Sequence, residues 1–193
     1  RAKDQSHDFR YEGGIRSFVE HLNKSKKPIH SEPIYLAGER NFIERERSVD
    51  VGIEVALQYN ETYNESVFAF ANNINTAEGG THLIGFRSAL TRTINRYIAA
   101  QSKNTKGEPE SVTGDDLREG LAAVISVKLP QPQFEGQTKS KLGTAEVKSL
   151  VDGLVFEQLG TYLEEHPAEA KKIVYKVLDA SRARAAARKA RDL

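Results

Sequence analysis

The sequence predicts an α/β (α+β) fold in which a mixed sheet of about four strands is covered by helices. Residues 49–59 alternate between apolar side chains and polar or small ones, as a strand with one buried face does. Residues 83–98 and 147–159 instead repeat apolar side chains at helical spacing. Because strand-like and helical segments are mixed along the chain, we expect a single sheet layer with helices on one face.

The first 71 residues are expected to supply one helix and three strands. A turn signal at Gly13 and Gly14 precedes apolar residues at helical spacing, namely Ile15, Phe18, Val19 and Leu22. A strand is expected to begin at Ile34, and the charged residues 39–48 are interpreted as a connection. Residues 67–71 are expected to run back beside residues 49–59 and to form a hairpin with them.

A long polar loop, residues 72–82, leads into the clearest helical pattern. Its apolar arc consists of Leu83, Phe86, Leu90, Ile94, Tyr97 and Ile98. Arg87 falls inside this arc, whereas Arg92 and Arg96 point the opposite way. A basic residue among core positions either extends its charged end to solvent or serves a site, and the pattern alone leaves both readings open.

The second half is expected to contain one strand and three helices. Thr113 and Asp116 have capping-box spacing at the start of a short helix, and residues 121–129 read as a strand. Thr144 is a candidate helix cap, and Pro167 suits the first position of the last helix. After residue 178 no large apolar side chain appears before residue 193, so this helix is expected to project from the domain.

Composition excludes several classes of protein. The chain has 28 basic and 27 acidic residues, a net charge of +1, which does not suit a nucleic-acid-binding polycation. The basic excess lies in the tail, at Arg182, Arg184, Arg188, Lys189 and Arg191. Without cysteine there is no disulfide framework, and no apolar run reaches membrane-spanning length, so a cytoplasmic location is expected. Methionine is absent even at position 1, and we therefore expect the chain to be a segment of a longer protein.

The polar stretch 137–143, here called the lysine loop, lies between a predicted strand and a predicted helix. It contains Lys139 and Lys141, and an ammonium group is well suited to contact a phosphate oxygen. From composition alone the loop is better interpreted as a solvated surface segment, since short lysine-containing loops are common. His82 has no serine or carboxylate motif around it, so a local hydrogen-bonding role is expected. The sequence carries no phosphate-loop, dinucleotide or zinc signature and no metal-ligand spacing of histidines.

Three motifs stand in order along the chain: Asn-Asn-Ile to Glu-Gly-Gly-Thr-His over residues 72–82, Thr-Gly-Asp-Asp-Leu-Arg-Glu-Gly-Leu over 113–121, and Gln-Thr-Lys-Ser-Lys-Leu over 137–142. In this arrangement the sequence resembles the transducer domain of type IIA DNA topoisomerase ATPase subunits. Among these, it looks most similar to the bacterial gyrase B family, because residues 54–58 and 86–93 also fit. The resemblance covers nearly all of residues 9–192.

The resemblance implies a fold, a domain division and site residues. The fold would be the ribosomal-protein-like one with a left-handed βαβ crossover, an exception to the usual handedness. Residues 1–8 would end an ATPase domain, residues 9–165 would form the transducer domain, and residues 166–193 would link it to the next domain. Lys139 would be catalytic and contact the γ-phosphate of ATP with help from Gln137, and Arg87 would line a DNA cavity.

The resemblance also implies cofactors and partners. ATP and Mg²⁺ would be bound mainly by the preceding ATPase domain, and this segment alone would be inactive. The partners would be double-stranded DNA, the ATPase domain of the same chain, the gyrase A protein and a second copy of the gyrase B protein, with no membrane. Two alternatives remain at this point: the equivalent domain of topoisomerase IV or of a mismatch-repair ATPase, and a nucleic-acid-binding module that uses the basic tail.

Overall fold

A computed structural model describes residues 12–104, 106 and 110–193. The helices are α1 (Gly14–Asn23), α2 (Thr81–Gln101), α3 (Gly114–Arg118), α4 (Ala145–Glu165) and α5 (Pro167–Arg191), with one 3-10 turn at Ser102–Asn104. The strands are β1 (Ile34–Glu44), β2 (Arg47–Tyr59), β3 (Ser66–Ala71), β4 (Ile74–Asn75), β5 (Leu121–Lys128), β6 (Phe134–Glu135) and β7 (Lys141–Leu142). The predicted α/β class with a long last helix is confirmed. The expected end of a preceding domain, residues 1–8, lies outside the described residues.

The main sheet has five strands in the order β1-β2-β5-β3-β4. All neighbours are antiparallel except β3 and β5, which run parallel with Phe68 opposite Val124. The predicted hairpin between β2 and β3 is therefore wrong, because β5 lies between them. Every residue of β5 from Leu121 to Val127 is buried, and a strand that is apolar on both faces is most stable in the centre of a sheet.

Helices cover both faces of this sheet, where the sequence predicted one. On the main face, alternate residues of β2 and β5, such as Val55 and Ile125, pack against α2, α4 and α5. On the opposite face, Ala56 and Val124 pack against Ile15 of α1 and its neighbours. On β2 and β5 the side chains of this face that join the second cluster are small, namely Ala56, Ala122 and Val124, whereas β3 contributes Phe68 and Phe70. Helix α1 thus buries the central strands from the side opposite the main core.

Residues 39–48, predicted as a connection, instead form the tip of the β1–β2 hairpin. The register runs from Ile34 opposite Leu57 to Glu44 opposite Arg47. The chain reverses at Arg45 and Glu46, where φ is 47° and 67°. Charged side chains are compatible with this strand because β1 is an edge strand whose distal half is mostly exposed.

Helices α2 and α4 cross closely on the main face of the sheet. At the crossing point, a Cβ atom on Gly85 would lie 2.4 Å from the carbonyl oxygen of Lys148, so only glycine permits this contact. Beside it, Arg92 pairs with Asp152 across the two helices at 2.6 Å. The position of α2, whose first turn borders the site described below, is thus fixed by α4.

Helix α5 begins at Pro167, as predicted, and is half packed and half projecting. Ile173 and Val177 are buried against the main core, whereas the helix is exposed beyond Ser181. Two ion pairs lie where the helix changes from packed to exposed: Arg182 contacts Glu110 at 2.8 Å, and Arg184 contacts Asp116 at 2.9 Å. In the part of the chain that the structure describes, no helix is both long enough and apolar enough to cross a membrane.

Candidate functional site

The lysine loop contains the turn and the second strand, β7, of a small hairpin in which Phe134 of β6 pairs with Leu142 of β7. Gln137, Thr138 and Lys139 are exposed at its tip. The backbone of Lys139 has φ of 53°, in the left-handed region that non-glycine residues adopt at a cost of about 1–3 kcal/mol. Such a conformation persists only where neighbouring contacts hold it.

The two lysines of the loop differ in their surroundings. Lys141 is half-buried and pairs with Glu135 at 3.0 Å between Nζ and Oε2. Lys139 has no ion-pair or hydrogen-bond partner among the residues that the structure describes. The Lys139 ammonium is therefore the one of the pair that is available to an external anion.

The loop is docked on the start of helix α2. The backbone N–H of Glu78 donates to the carbonyl oxygen of Ser140 at 2.9 Å, and that of Leu142 donates to Gly79 at 3.0 Å. The Ser140 hydroxyl donates to the Glu78 carboxylate at 2.6 Å. The first and third motifs, more than 50 residues apart along the chain, thus form one surface.

Gly80 makes this docking possible. It precedes α2 with φ of 134° and ψ of −161°, a conformation essentially restricted to glycine. A Cβ atom at this position would lie 2.3 Å from the carbonyl oxygen and 2.5 Å from the nitrogen of Leu142. The backbone of Leu142 can approach this closely because Gly80 carries no side chain.

The base of the loop is held from the other side by the segment before β6. The N–H of Gly143 donates to the carbonyl oxygen of Gln133 at 2.7 Å, and the N–H of Gln133 donates to the Thr144 hydroxyl at 3.0 Å. Thr144 occupies the N-cap position of α4 as predicted, but its hydroxyl does not cap the helix. The side chain instead ties the loop to the helix that follows it.

His82 lies directly beneath this surface and is fully buried. The Thr76 hydroxyl donates to the carbonyl oxygen of Ala69 at 2.8 Å and therefore accepts from Nε2–H of His82 at 3.0 Å. Burial lowers the pKa of His82 to about 4, so the imidazole is neutral near pH 7. The predicted local hydrogen-bonding role is confirmed, and a buried ring with this partner is not placed to act as a base on an external substrate.

Arg87, the other predicted site residue on α2, lies about one and a half turns after His82. Its guanidinium forms a two-pronged ion pair with Glu65, at 2.9 and 2.7 Å. Arg118 also approaches Glu65, at 3.8 Å. The direction of the Arg87 side chain is therefore fixed by Glu65, a partner that the helical pattern alone did not reveal.

Arg92 and Arg96 lie on a different side of α2, as predicted. Both guanidinium groups lie over the ring of Phe156, at 4.2 and 5.2 Å from its centre, and Arg92 is also paired with Asp152. Their contacts connect α2 to α4. Within the described ranges, no group of three or more histidine or acidic side chains is placed to hold a metal ion.

The sequence was compared with models of known protein families and with curated proteins. A family model described as DNA gyrase B matches residues 14–193. The chain is 55% identical over 189 residues to the DNA gyrase B protein of Myxococcus xanthus, covering 98% of this chain and 22% of that protein. It is 53% identical over 196 residues to the DNA gyrase B protein of Clostridium acetobutylicum, covering 98% of this chain and 29% of that protein.

Two solved structures are similar over most of the chain. A crystal structure of the 43K ATPase domain of Thermus thermophilus gyrase B, in complex with an aminocoumarin, superposes with a TM-score of 0.79 and 40% identity. The match covers 93% of this chain and 46% of that one. The ATP-binding domain of Francisella tularensis topoisomerase IV gives a TM-score of 0.67 at 28% identity, covering 91% and 44%. The chain therefore spans less than half of each of these four proteins.

Proposed function

Since the chain belongs to the DNA gyrase B family, we propose that it is the energy-coupling, or transducer, part of a gyrase B protein. In this proposal, residues 1–8 end an ATPase domain, residues 9–165 form the transducer domain, and residues 166–193 are a helix that links it to the next domain. The match to less than half of a gyrase B ATPase-domain structure supports this division, since more than half of that chain lies outside the match and has room for the nucleotide pocket.

The exposed and unpartnered ammonium of Lys139 is the observation that carries the proposal; its lack of a partner holds for the residues that the structure describes. Lys139 lies at the tip of a loop whose base is hydrogen-bonded on both sides. A fixed base of this kind suits a side chain that reaches into a neighbouring domain. In the proposed function Lys139 contacts the γ-phosphate of ATP, and Gln137, two residues earlier in the same exposed turn, assists. One ammonium donor fits one contact to a phosphate; it does not form a nucleotide site.

In this proposal Lys139 accelerates ATP hydrolysis through its electrostatic interaction with the γ-phosphate. ATP, bound with Mg²⁺ mainly by the preceding domain, supplies the phosphoryl group that is transferred to water. As the γ-phosphate separates, negative charge shifts among the phosphate oxygens, and a fixed positive charge beside them lowers the barrier. Lys139 takes no part in proton transfer in this role, because it supplies only a fixed positive charge.

The partners follow from the same proposal. The lysine loop faces the ATPase domain of the same chain, and α2 carries Arg87 towards double-stranded DNA. Helix α5 leads to the parts of the protein that work with gyrase A, and two copies of gyrase B form a dimer when nucleotide is bound. The whole protein would be a cytoplasmic, ATP-dependent type II topoisomerase. The rival nucleic-acid-binding module gains no support from the start of the tail, because Arg182 and Arg184 are already paired with carboxylates.

This chain alone is expected to show no ATP binding in the micromolar range by isothermal titration calorimetry. An exposed ion pair contributes only about 0–1 kcal/mol, so Lys139 by itself cannot retain a nucleotide. The same protein extended through the preceding ATPase domain is the positive control and should bind. Micromolar binding by this chain alone would mean that a nucleotide pocket lies within it, which contradicts the proposed division.

Arg87→Gln in the full-length protein is expected to weaken the stimulation of ATPase by DNA while basal turnover remains. The guanidinium is partly exposed, and loss of one phosphate contact should reduce the salt dependence of DNA binding by a slope of about 1. Arg92→Gln is the matched control, because Arg92 is also on α2 and also paired with a carboxylate. ATPase assays with and without DNA would test both variants. A large fall in melting temperature with unchanged DNA stimulation would identify Arg87 as a packing residue only.

A further inference from the structure

We propose that Glu78 is a positioning residue for Lys139: its carboxylate holds the tip of the lysine loop through Ser140 and joins the loop to helix α2. This inference rests on the proposed function, since it assigns Glu78 a task in presenting Lys139 to a phosphate. Three hydrogen-bonded polar side chains, those of Thr138, Ser140 and Glu78, link the residues on both sides of Lys139.

Ser140 and Thr138 flank Lys139, and their hydroxyl oxygens lie 2.9 Å apart. The single Ser140 hydroxyl proton is donated to the Glu78 carboxylate, at 2.6 Å. Thr138 must therefore be the donor in its bond with Ser140. The resulting order of donation, Thr138 to Ser140 to Glu78, draws the residues on both sides of Lys139 towards one fixed acceptor.

Backbone contacts alone do not fix the tip of the loop. The two backbone bonds to the α2 side involve Ser140 and Leu142, which follow the exposed tip residues 137–139. Within the described part of the chain, no backbone hydrogen bond from outside the hairpin holds Gln137, Thr138 or Lys139. Lys139 nonetheless has a left-handed backbone, with φ of 53°. The hydroxyl chain ending on Glu78 holds the residues on both sides of this backbone conformation.

The contact between Ser140 and Glu78 also connects the loop to the start of helix α2. Glu78 precedes Gly80, the residue before α2, by two positions, and Gly80 lies against the backbone of Leu142. A displacement of Lys139 towards a phosphate would therefore be carried to the first turn of α2. Arg87 lies on that helix, so the loop and the proposed DNA contact share one rigid element.

The experiment measures ATP hydrolysis and nucleotide affinity in the full-length protein for Glu78→Ala and Glu78→Gln, each alone and combined with Lys139→Ala. Glu78→Ala is expected to lower kcat about tenfold with nucleotide affinity within about twofold, because a hydrogen bond to a charged group is lost from a presenting contact. Glu78→Gln should retain most of the activity, since its amide oxygen still accepts from Ser140. In the Lys139→Ala background, Glu78→Ala should cause no further loss.

Glu135→Ala is the matched control, because Glu135 is an acidic residue at the base of the same hairpin that pairs only with Lys141 among described residues. Its turnover should match that of the unmodified protein. Melting temperatures should change little for the Glu78 and Glu135 variants, since both residues are exposed.

Three results would overturn the inference: unchanged turnover in Glu78→Ala, a rise in turnover from removal of a negative charge near the phosphate, or an equal loss when Lys139 is already alanine. In each of these, Lys139→Ala alone still reports on the proposed function. If Lys139→Ala itself leaves hydrolysis intact, the proposed function fails and the role of Glu78 fails with it.

Discussion

Lys139→Ala in the full-length protein is expected to reduce ATP hydrolysis by about 10²–10³-fold while nucleotide binding is largely retained. The contacts that hold adenine, ribose and Mg²⁺ would belong to the neighbouring domain and survive the change. The lost interaction is one that strengthens as the γ-phosphate departs, and only interactions of this kind raise turnover. Steady-state ATPase assays together with direct nucleotide titration would separate the two effects.

Two further lysine variants sharpen this result. Lys141→Ala should be mild, because the Lys141 ammonium is already engaged by Glu135. Lys139→Arg should restore activity only in part, since a planar guanidinium does not replace a compact ammonium in a tight contact. Equal losses at both lysines would indicate general loop electrostatics, and unchanged turnover in Lys139→Ala would remove the loop from the mechanism.

Gly80→Ala is expected to have the second-largest effect, because it separates the lysine loop from α2. A methyl group would meet the backbone of Leu142 at 2.3 and 2.5 Å, and φ of 134° is unfavourable for alanine. Neither obstacle is a flexible side chain that could turn away. We expect the free energy of unfolding to fall by about 3 kcal/mol or more, or the loop to leave its position and hydrolysis to fall as in Lys139→Ala.

Gly153→Ala is the matched control for this substitution. Gly153 lies inside α4, is exposed, and has nothing within 4 Å of the position a Cβ would take. Alanine there should stabilise the helix by up to about 1 kcal/mol. Urea denaturation and ATPase assays of both variants would test the pair. A Gly80→Ala protein with normal stability and normal turnover would show that the contact with Leu142 is dispensable.

Local patterns predicted the elements well, because alternation and helical spacing are properties of neighbouring residues. The strand over residues 49–59, the capping box at Thr113 and the helix start at Pro167 all appear in the structure. The capping bond itself, from the Thr113 N–H to the Asp116 carboxylate at 2.8 Å, joins residues three positions apart. Signals of this range can be read directly from the sequence.

The incorrect predictions of secondary structure and strand pairing concern segments whose partners are distant along the chain. Strand β5 is inserted between β2 and β3 although it follows both in sequence, and no local pattern specifies that pairing. The charged edge strand at residues 39–44 reads as a loop because most of its side chains lie in solvent. Whether such a segment is a strand depends on the neighbour with which its backbone pairs.

In the candidate site too, local sequence identified the functional segment but not the partners that lie far away along the chain. The lysine loop could be identified from its composition and motif, whereas its holder Glu78 lies 62 residues away from Ser140. Glu65, which fixes Arg87, lies 22 residues before it and outside α2. A carboxylate at either position looks like ordinary surface charge until the fold brings it to its partner. The sequence therefore identified Lys139 and Arg87, the residues proposed to contact phosphate and DNA. It did not identify Glu78 and Glu65, the carboxylates that would position them.

The ion pairs at the middle of α5 give that helix the properties of a lever arm. Its 25 residues span about 37 Å, and the part beyond Arg184 accounts for about 10 Å of this. Arg184 is anchored to Asp116 of α3, so the fulcrum lies on the body of the domain and the free arm extends beyond it. A tilt of about 10° at this point would move the far end of the helix by about 2 Å, a displacement obtained from a stiff helix without any change in its own structure.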